Sequence, residues 1–319
     1  MTDTAKRILF MGTPDIAAIC LAALCDEGYQ VIGAVCQPDK PKGRGYTLQP
    51  PPVKVKAMEL GIPVYQPETL KNGAFDETLR ALSPDLIAVV AYGKILPPSL
   101  IHFPVFGCVN VHASLLPKYR GAAPMQRAII DGEKETGVTT MLMDEGLDTG
   151  DMLLRESFPI GEEDNFETVH DKTALLGGRL LCLTVKGLFE GTLTPIPQPE
   201  GATYAQKITK EDCLLDFTRP AGELAARVRG LSPIPLSYTS LADGRLLKVA
   251  AAHAGEGEGE AGRVIALSDK GEGAITVATG KGALVITRAK PEGKGLQTAA
   301  DLIRGRRVSL GDLLGATLL

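Results

Sequence analysis

The sequence predicts an α/β protein with a Rossmann-like, mostly parallel sheet covered by helices on both faces, followed by a smaller OB-like β-barrel domain. Three observations carry this expectation. Short apolar or β-branched runs alternate with helical patterns through the first two thirds of the chain, a proline-rich break follows at residue 191, and several short strand patterns with Gly- and Asp-rich turns come after it. Alternation of the first kind builds βαβ units, and a series of short strands builds a sandwich or barrel.

Taken in order, strands are predicted over residues 7–11, 31–36, 86–91, 108–112 and 137–143, each bounded by Gly, Pro or polar residues. A helix over 14–25 carries Ile16, Ile19, Cys20, Ala23 and Leu24 at helical spacing, with Pro14 near its start and Gly28 past its end. A helix near 123–130 follows the fourth strand, and a long one over 166–189 closes the first domain, with Asp164 or Asn165 as N-cap. Residues 191–205 hold three prolines and no period, so they read as an extended linker. Beyond them come a helix over 221–229 and strands over 236–241, 246–251, 263–267, 274–278 and 284–288. The resulting division is a first domain over 1–190, a linker over 191–206 and a second domain over 207–319.

With 319 residues, 44% of them hydrophobic and 23% charged, the composition is that of an ordinary globular protein. No apolar run reaches the roughly 18 residues of a membrane span, so no membrane contact and a cytoplasmic location are expected. The six cysteines are scattered without a C-x-x-C pair or nearby histidines, which predicts buried free thiols rather than disulfides or zinc ligands. The net charge of −4 is uneven: residues 1–204 hold 18 basic against 25 acidic side chains, and residues 205–319 hold 16 against 13. A basic second part suits a polyanionic partner, and ordinary scatter of surface charge suits the count as well.

The segment GCVNVHASLL, residues 107–116, is the most informative. On a strand, Val109 and Val111 point one way and Cys108, Asn110 and His112 the other, which sets two polar groups on one face near a strand exit. Asp148, in the turn GLDTGD after the fifth strand, is expected at the same edge of the sheet. Plainer readings stand beside these: a capping Asn, a hydrogen-bonded core His and a turn Asp. MGTPD after the first strand contains only Gly12, and without G-x-G-x-x-G it does not support nicotinamide or flavin binding. Lys40, Lys42 and Arg44 cluster in PDKPKGRG, an exposed loop whose charges suit phosphates or solvent equally.

NVHASLLPKYRGAAPMQRAIIDGEKETGVTTMLMDEGLDTGDML resembles the core motif of the folate-dependent formyltransferases, most specifically those acting on charged initiator tRNA. CQPDKPKGRG, LIAVVAYGKILP, YAQKITKED and GKGLQTAADLIRG extend the resemblance over nearly the whole chain. It implies formyl transfer from 10-formyltetrahydrofolate to the α-amino group of methionine on initiator methionyl-tRNA by a monomer that needs no metal. Carried over by position, Asn110, His112 and Asp148 are the catalytic trio. Ser114, Leu115, Leu116 and Pro117 line the folate site, with Tyr92, Gly93 and Asp144 among the residues that hold the pterin. Lys40, Lys42 and Arg44 meet the tRNA. The chemistry agrees, because an amine attacking a formyl carbon needs oriented donors for an oxyanion, and both Asn110 and His112 can donate. Tyr46 and Thr47 stand where the family carries basic residues, and Ser232 and Ile234 lie where it has Asn and Trp, so the tRNA contacts are the weaker part of the carry-over. The rivals are another amine acceptor, such as glycinamide ribonucleotide or an amino sugar, a folate-binding hydrolase or regulatory protein, and a dehydrogenase that lacks its phosphate fingerprint.

Overall fold

Continuous apolar runs such as Leu86–Val90, buried at every position, form strands covered on both faces. The computed structural model describes residues 6–42 and 47–315. The chain divides into two compact units, one made of residues up to Pro124 with Thr136–Phe158 and His170–Ala205, the other of Met125–Glu135, Pro159–Val169 and the residues from Gln206 on.

The elements of the first part are β1 (Arg7–Gly12), α1 (Asp15–Asp26), β2 (Gln30–Val35), β3 (Lys40–Lys42), β4 (Thr47–Gln49), α2 (Pro52–Glu59), β5 (Val64–Tyr65), α3 (Asp76–Leu82) and β6 (Leu86–Val90). They continue with α4 (Pro98–Ile101), β7 (Cys108–His112), β8 (Arg120–Gly121), α5 (Pro124–Ile130), β9 (Glu135–Leu142), β10 (Met152–Pro159), α6 (Phe166–Glu190) and β11 (Tyr204–Ala205). Seven strands form one sheet in the order β10-β9-β7-β6-β1-β2-β5. The pairs β1–β2, β1–β6, β6–β7 and β2–β5 are parallel, and β7–β9 is antiparallel.

Alternation along β1 and β7 assigns the two faces. Ile8, Phe10, Val109 and Val111 join Leu21 and Leu24 of α1 and Leu181 and Val185 of α6 in one core. Leu9, Met11 and Cys108 join Leu79 of α3 and Leu100 of α4 in the other. Gly12 accounts for the lone glycine of MGTPD, since a Cβ there would stand 2.6 Å from the Cβ of Ala17 and 2.8 Å from the carbonyl oxygen of Val90. The six cysteines are free, and all but Cys25 are buried. Burial pushes the Cys20 and Cys108 thiols up to about 12 and those of Cys36 and Cys182 up to about 11.

Residues 191–205, expected as a linker, are extended but tied down. Met152 and Ile196 exchange both backbone hydrogen bonds at 2.8 Å, and β11 pairs in parallel with β8.

In the second unit, α7 (Ala221–Gly230), β12 (Ser237–Ser240), β13 (Leu246–Gly255), β14 (Val264–Ser268), β15 (Ala274–Ala278), β16 (Ala283–Pro291), β17 (Gln297–Thr298) and α8 (Ala299–Arg304) follow. The sheet order is β12-β13-β16-β15-β14, with β17 on β16, and its pairs are antiparallel. Register shifts near Ala251 bend the long β13, as bulges do. The strands enclose one core, in which Leu247, Val249, Val277 and Ile286 meet Leu224 and Val228 of α7 and Leu302 of α8. The order of strands runs from β12 to β14, with no pairing between these two ends among the described residues. Asn165 is the N-cap of α6: its Oδ1 accepts the Thr168 N–H, and its own N–H donates to Thr168 Oγ1, both at 3.0 Å. In this unit β17 and α8 were absent from the sequence reading, and in the first part of the chain so were α2, α3 and α4 and the strands β3, β4, β5, β8, β10 and β11. Helix α8 opens with a capping box between Thr298 and Asp301.

Arg127 grips Asp212 with two parallel hydrogen bonds, Nη1 to Oδ1 at 2.9 Å and Nη2 to Oδ2 at 2.8 Å. This guanidinium, helped by the Thr209 N–H and hydroxyl, holds the Asp212 carboxyl down at about 2. A depressed carboxylate pKa stabilises the fold above the unfolded value of about 4, and the contribution is lost as pH falls through the folded value. Arg127→Met is therefore expected to cost about 1–3 kcal/mol in urea unfolding at pH 7. The gap to the parent should close as pH falls from about 4 toward 2, and a gap independent of pH would refute the assignment.

Candidate active site

Strand β7 ends at His112, a ring only 5% exposed, and two residues earlier Asn110 lies half-buried on the same strand face. His112 Nε2 lies 2.9 Å from the Tyr119 carbonyl oxygen, and Nδ1 lies 3.6 Å from Asp148 Oδ2. A carbonyl only accepts, so the bond to Tyr119 requires the proton on Nε2 and leaves the Nδ1 lone pair toward Asp148 in the neutral ring. Asp148 Oδ2 is itself fixed by the Gly121 N–H at 2.8 Å. Among the described residues the Asn110 side-chain amide has no hydrogen-bond partner, so it is the uncommitted donor of this group.

Asp148 lies beside His112 as expected, but it gets there by a returning loop. Because β9 runs antiparallel to β7, Thr139 is opposite His112, and Leu142, where β9 ends, is opposite Val109. The loop after β9 must therefore fold back along the sheet. Asp144 shapes it, its Oδ1 accepting the Gly146 N–H at 3.0 Å and the Thr149 hydroxyl at 2.6 Å. Gly150 lets it close, because a Cβ there would sit 1.8 Å from the Leu142 carbonyl oxygen. Ala91, Tyr119 and Asp148 all adopt left-handed φ, at +45°, +60° and +52°. Such non-glycine conformations persist only where surrounding bonds hold them.

The remaining predicted residues take distinct places. The Ser114 hydroxyl is fully buried and donates to the Lys118 carbonyl at 2.6 Å, while the Ser114 carbonyl accepts the Thr139 hydroxyl at 2.7 Å. Leu116 is buried, its N–H donating to Thr139 Oγ1 and its carbonyl accepting from Arg155. Leu115 is half-buried, beside Gly137 of β9, and Pro117 is buried. Ser114 to Pro117 thus form a rigid turn whose polar groups are largely used within it. Tyr92 is 2% exposed in the apolar core, and burial pushes its phenol up to about 12. Its backbone carbonyl accepts the Thr13 hydroxyl at 3.0 Å and Gln37 Nε2 at 3.1 Å, and Gln37 also donates to the Gly93 carbonyl. Lys40 is exposed and donates to Gln37 Oε1 at 3.1 Å. Lys42 lies in β3, and Arg44 falls outside the described residues.

Sequence reasoning missed Thr13, Gln37, Tyr119 and Gln198. The first two are polar residues at the exits of β1 and β2, a signal that was readable, whereas Tyr119 acts through a carbonyl that no side-chain pattern reveals. A separate groove of about 660 Å³ lies among α1, α2 and α6, lined by Ile19, Val55 and Leu175, and contains none of the site residues.

The formyl transferase family model matches residues 6–185, and the model of the formyl transferase C-terminal domain matches residues 207–307. The chain belongs to the formyl transferase family. Its relatives include the methionyl-tRNA formyltransferase of Citrifermentans bemidjiense, 47% identical over 98% of this chain and 97% of that one. The methionyl-tRNA formyltransferase of Halorhodospira halophila is 50% identical over 97% of this chain and 99% of its own. Among solved structures, HypX from Aquifex aeolicus in complex with tetrahydrofolic acid shares the fold, with a TM-score of 0.65 at 19% identity over 94% of this chain and 47% of that one. Among the described residues, no helix is long and apolar enough to cross a membrane.

The closeness of Gly150 to backbone makes it a sensitive point. Gly150→Ala is expected to lower unfolding free energy by about 1–3 kcal/mol in urea melts. Gly222→Ala, on the exposed side of α7 with open space around it, should be neutral or stabilising by up to about 1 kcal/mol. Equal effects of the two changes would contradict the tight turn.

Proposed function

We propose that this chain transfers the formyl group of 10-formyltetrahydrofolate to the α-amino group of methionyl initiator tRNA. The observation that carries the reading is an uncommitted amide donor, Asn110, beside a histidine whose Nδ1 faces a carboxylate. Near end-to-end similarity to proteins named methionyl-tRNA formyltransferase supports the choice of acceptor.

In the reaction the amine nitrogen bonds to the formyl carbon, the carbonyl oxygen takes negative charge, and the bond to the folate N10 breaks as that nitrogen gains a proton, equivalent to the one the amine gives up, which returns His112 to its neutral form. Asn110 donates to the oxyanion. His112, with its Nε2 proton held by Tyr119, accepts the amine's proton at Nδ1, and Asp148 stabilises the imidazolium that results. This differs from a donor role for His112 toward the oxyanion, because the Nε2–H is already engaged. The folate sits against the turn from Ser114 to Pro117 and the backbone of Tyr92 and Gly93, near the loop that Asp144 shapes. Lys40, Lys42 and Arg44, together with the basic residues after 205, meet the tRNA, and the reaction is cytoplasmic.

Incubation with 10-formyltetrahydrofolate and charged initiator tRNA is expected to yield formyl-methionyl-tRNA, and release of free formate without that product would overturn the proposal. Asn110→Ala and His112→Ala should each lower kcat by roughly 10²-fold or more, with the folate KM nearly unchanged. Near-normal turnover of either variant removes that residue from the mechanism. Lys42→Ala combined with Arg44→Ala should raise the KM for tRNA, leave that for folate unchanged, and flatten the salt dependence of tRNA binding.

A further inference from the structure

The segment after α6 does more than connect. Gln198 is half-buried between exposed Pro197 and Pro199, and every polar atom of its side chain is engaged. Its Nε2 donates to the carbonyls of Asp148 at 2.8 Å and Gly150 at 2.9 Å, and its Oε1 accepts from Arg120 Nε at 3.1 Å and Nη2 at 2.7 Å. The same segment continues to Thr203, whose Oγ1 accepts the Tyr119 N–H at 2.9 Å and whose carbonyl accepts the Arg120 N–H at 2.8 Å. The backbones of both residues that flank the His112 ring, Tyr119 and Asp148, are therefore hydrogen-bonded to one stretch, residues 198–203.

Asp148, like Tyr119, adopts a backbone conformation that needs support. Its φ of +52° is a conformation that a non-glycine residue leaves readily unless it is held. Turning that residue to the right-handed region would swing its carboxylate off the Gly121 N–H and away from His112 Nδ1. The amide of Gln198 locks the carbonyl on the other side of the same Cα. We infer that Gln198 is a positioning residue for the reaction, acting by holding Asp148 in the left-handed conformation that presents its carboxylate to His112. The inference rests on the proposed roles of His112 and Asp148.

The test is a double-mutant cycle in the full-length protein, with kcat for formyl transfer and the folate KM measured for Gln198→Ala, Asp148→Ala and the pair. Gln198→Ala is expected to lower kcat by roughly 10-fold or more with the folate KM within about 3-fold, and to change kcat by less than about 3-fold in the Asp148→Ala background. Gln198→Glu, which keeps the acceptor for Arg120 and loses the donors to the loop, should be impaired as much as Gln198→Ala while unfolding close to the parent temperature. Equal fractional losses in both backgrounds, or normal turnover of Gln198→Glu, would overturn the inference and leave the site reading in place. Full turnover of Asp148→Ala would instead overturn the site reading on which it rests.

Discussion

The bond from His112 Nε2 to the Tyr119 carbonyl is the constraint around which the site is arranged. It fixes the ring's tautomer without a charged partner and so decides which nitrogen is available for proton transfer. To supply that carbonyl, the chain must leave β7, make the tight turn through Ser114 to Pro117, and return with Tyr119 in a left-handed conformation. The buried hydroxyls of Ser114 and Thr139 are spent on that turn. Much of the sequence motif that follows the histidine is thus committed to aiming one backbone oxygen.

Asp148 shows how sheet topology and loop chemistry share the work. An antiparallel β9 ends at the far end of β7, so its loop must run back toward the histidine, and Asp144, Gly146 and Gly150 shape that return. The parallel strands β1, β2 and β6 follow the more usual plan, offering Thr13, Gln37 and the Tyr92 backbone at their exits. The proposed site would therefore draw on two kinds of strand connection.

Strand existence was legible because apolar runs and their bounding residues are local. The alternation in β7 correctly separated Val109 and Val111 from Cys108, which fall in different cores. Strand direction was not legible, since residues 137–143 carry the same pattern whichever way they run, so the place of Asp148 beside His112 was readable while the returning loop that brings it there was not. Residues 191–205 looked like a linker because proline removes helical period, although proline also suits a strand edge that is pinned at intervals, as at Ile196 and Tyr204. TAAD at the start of α8 was a readable capping signal, but it falls in a stretch too short to show a helical period. Asn110 and His112 were legible from chemistry, whereas Gln198 was not, because a lone glutamine in a polar stretch carries no pattern until its partners are known.

The six thiols lead in another direction. Burial keeps four of them protonated far above neutral pH, none is paired, and the proposed transfer uses no cysteine. Five of the six are buried, which leaves the half-buried Cys25 as the native thiol most open to an oxidant or an alkylating reagent. With Cys25 replaced by serine, a single cysteine introduced on the surface would therefore be a selective attachment point for a fluorophore or spin label, with the buried thiols left silent behind it.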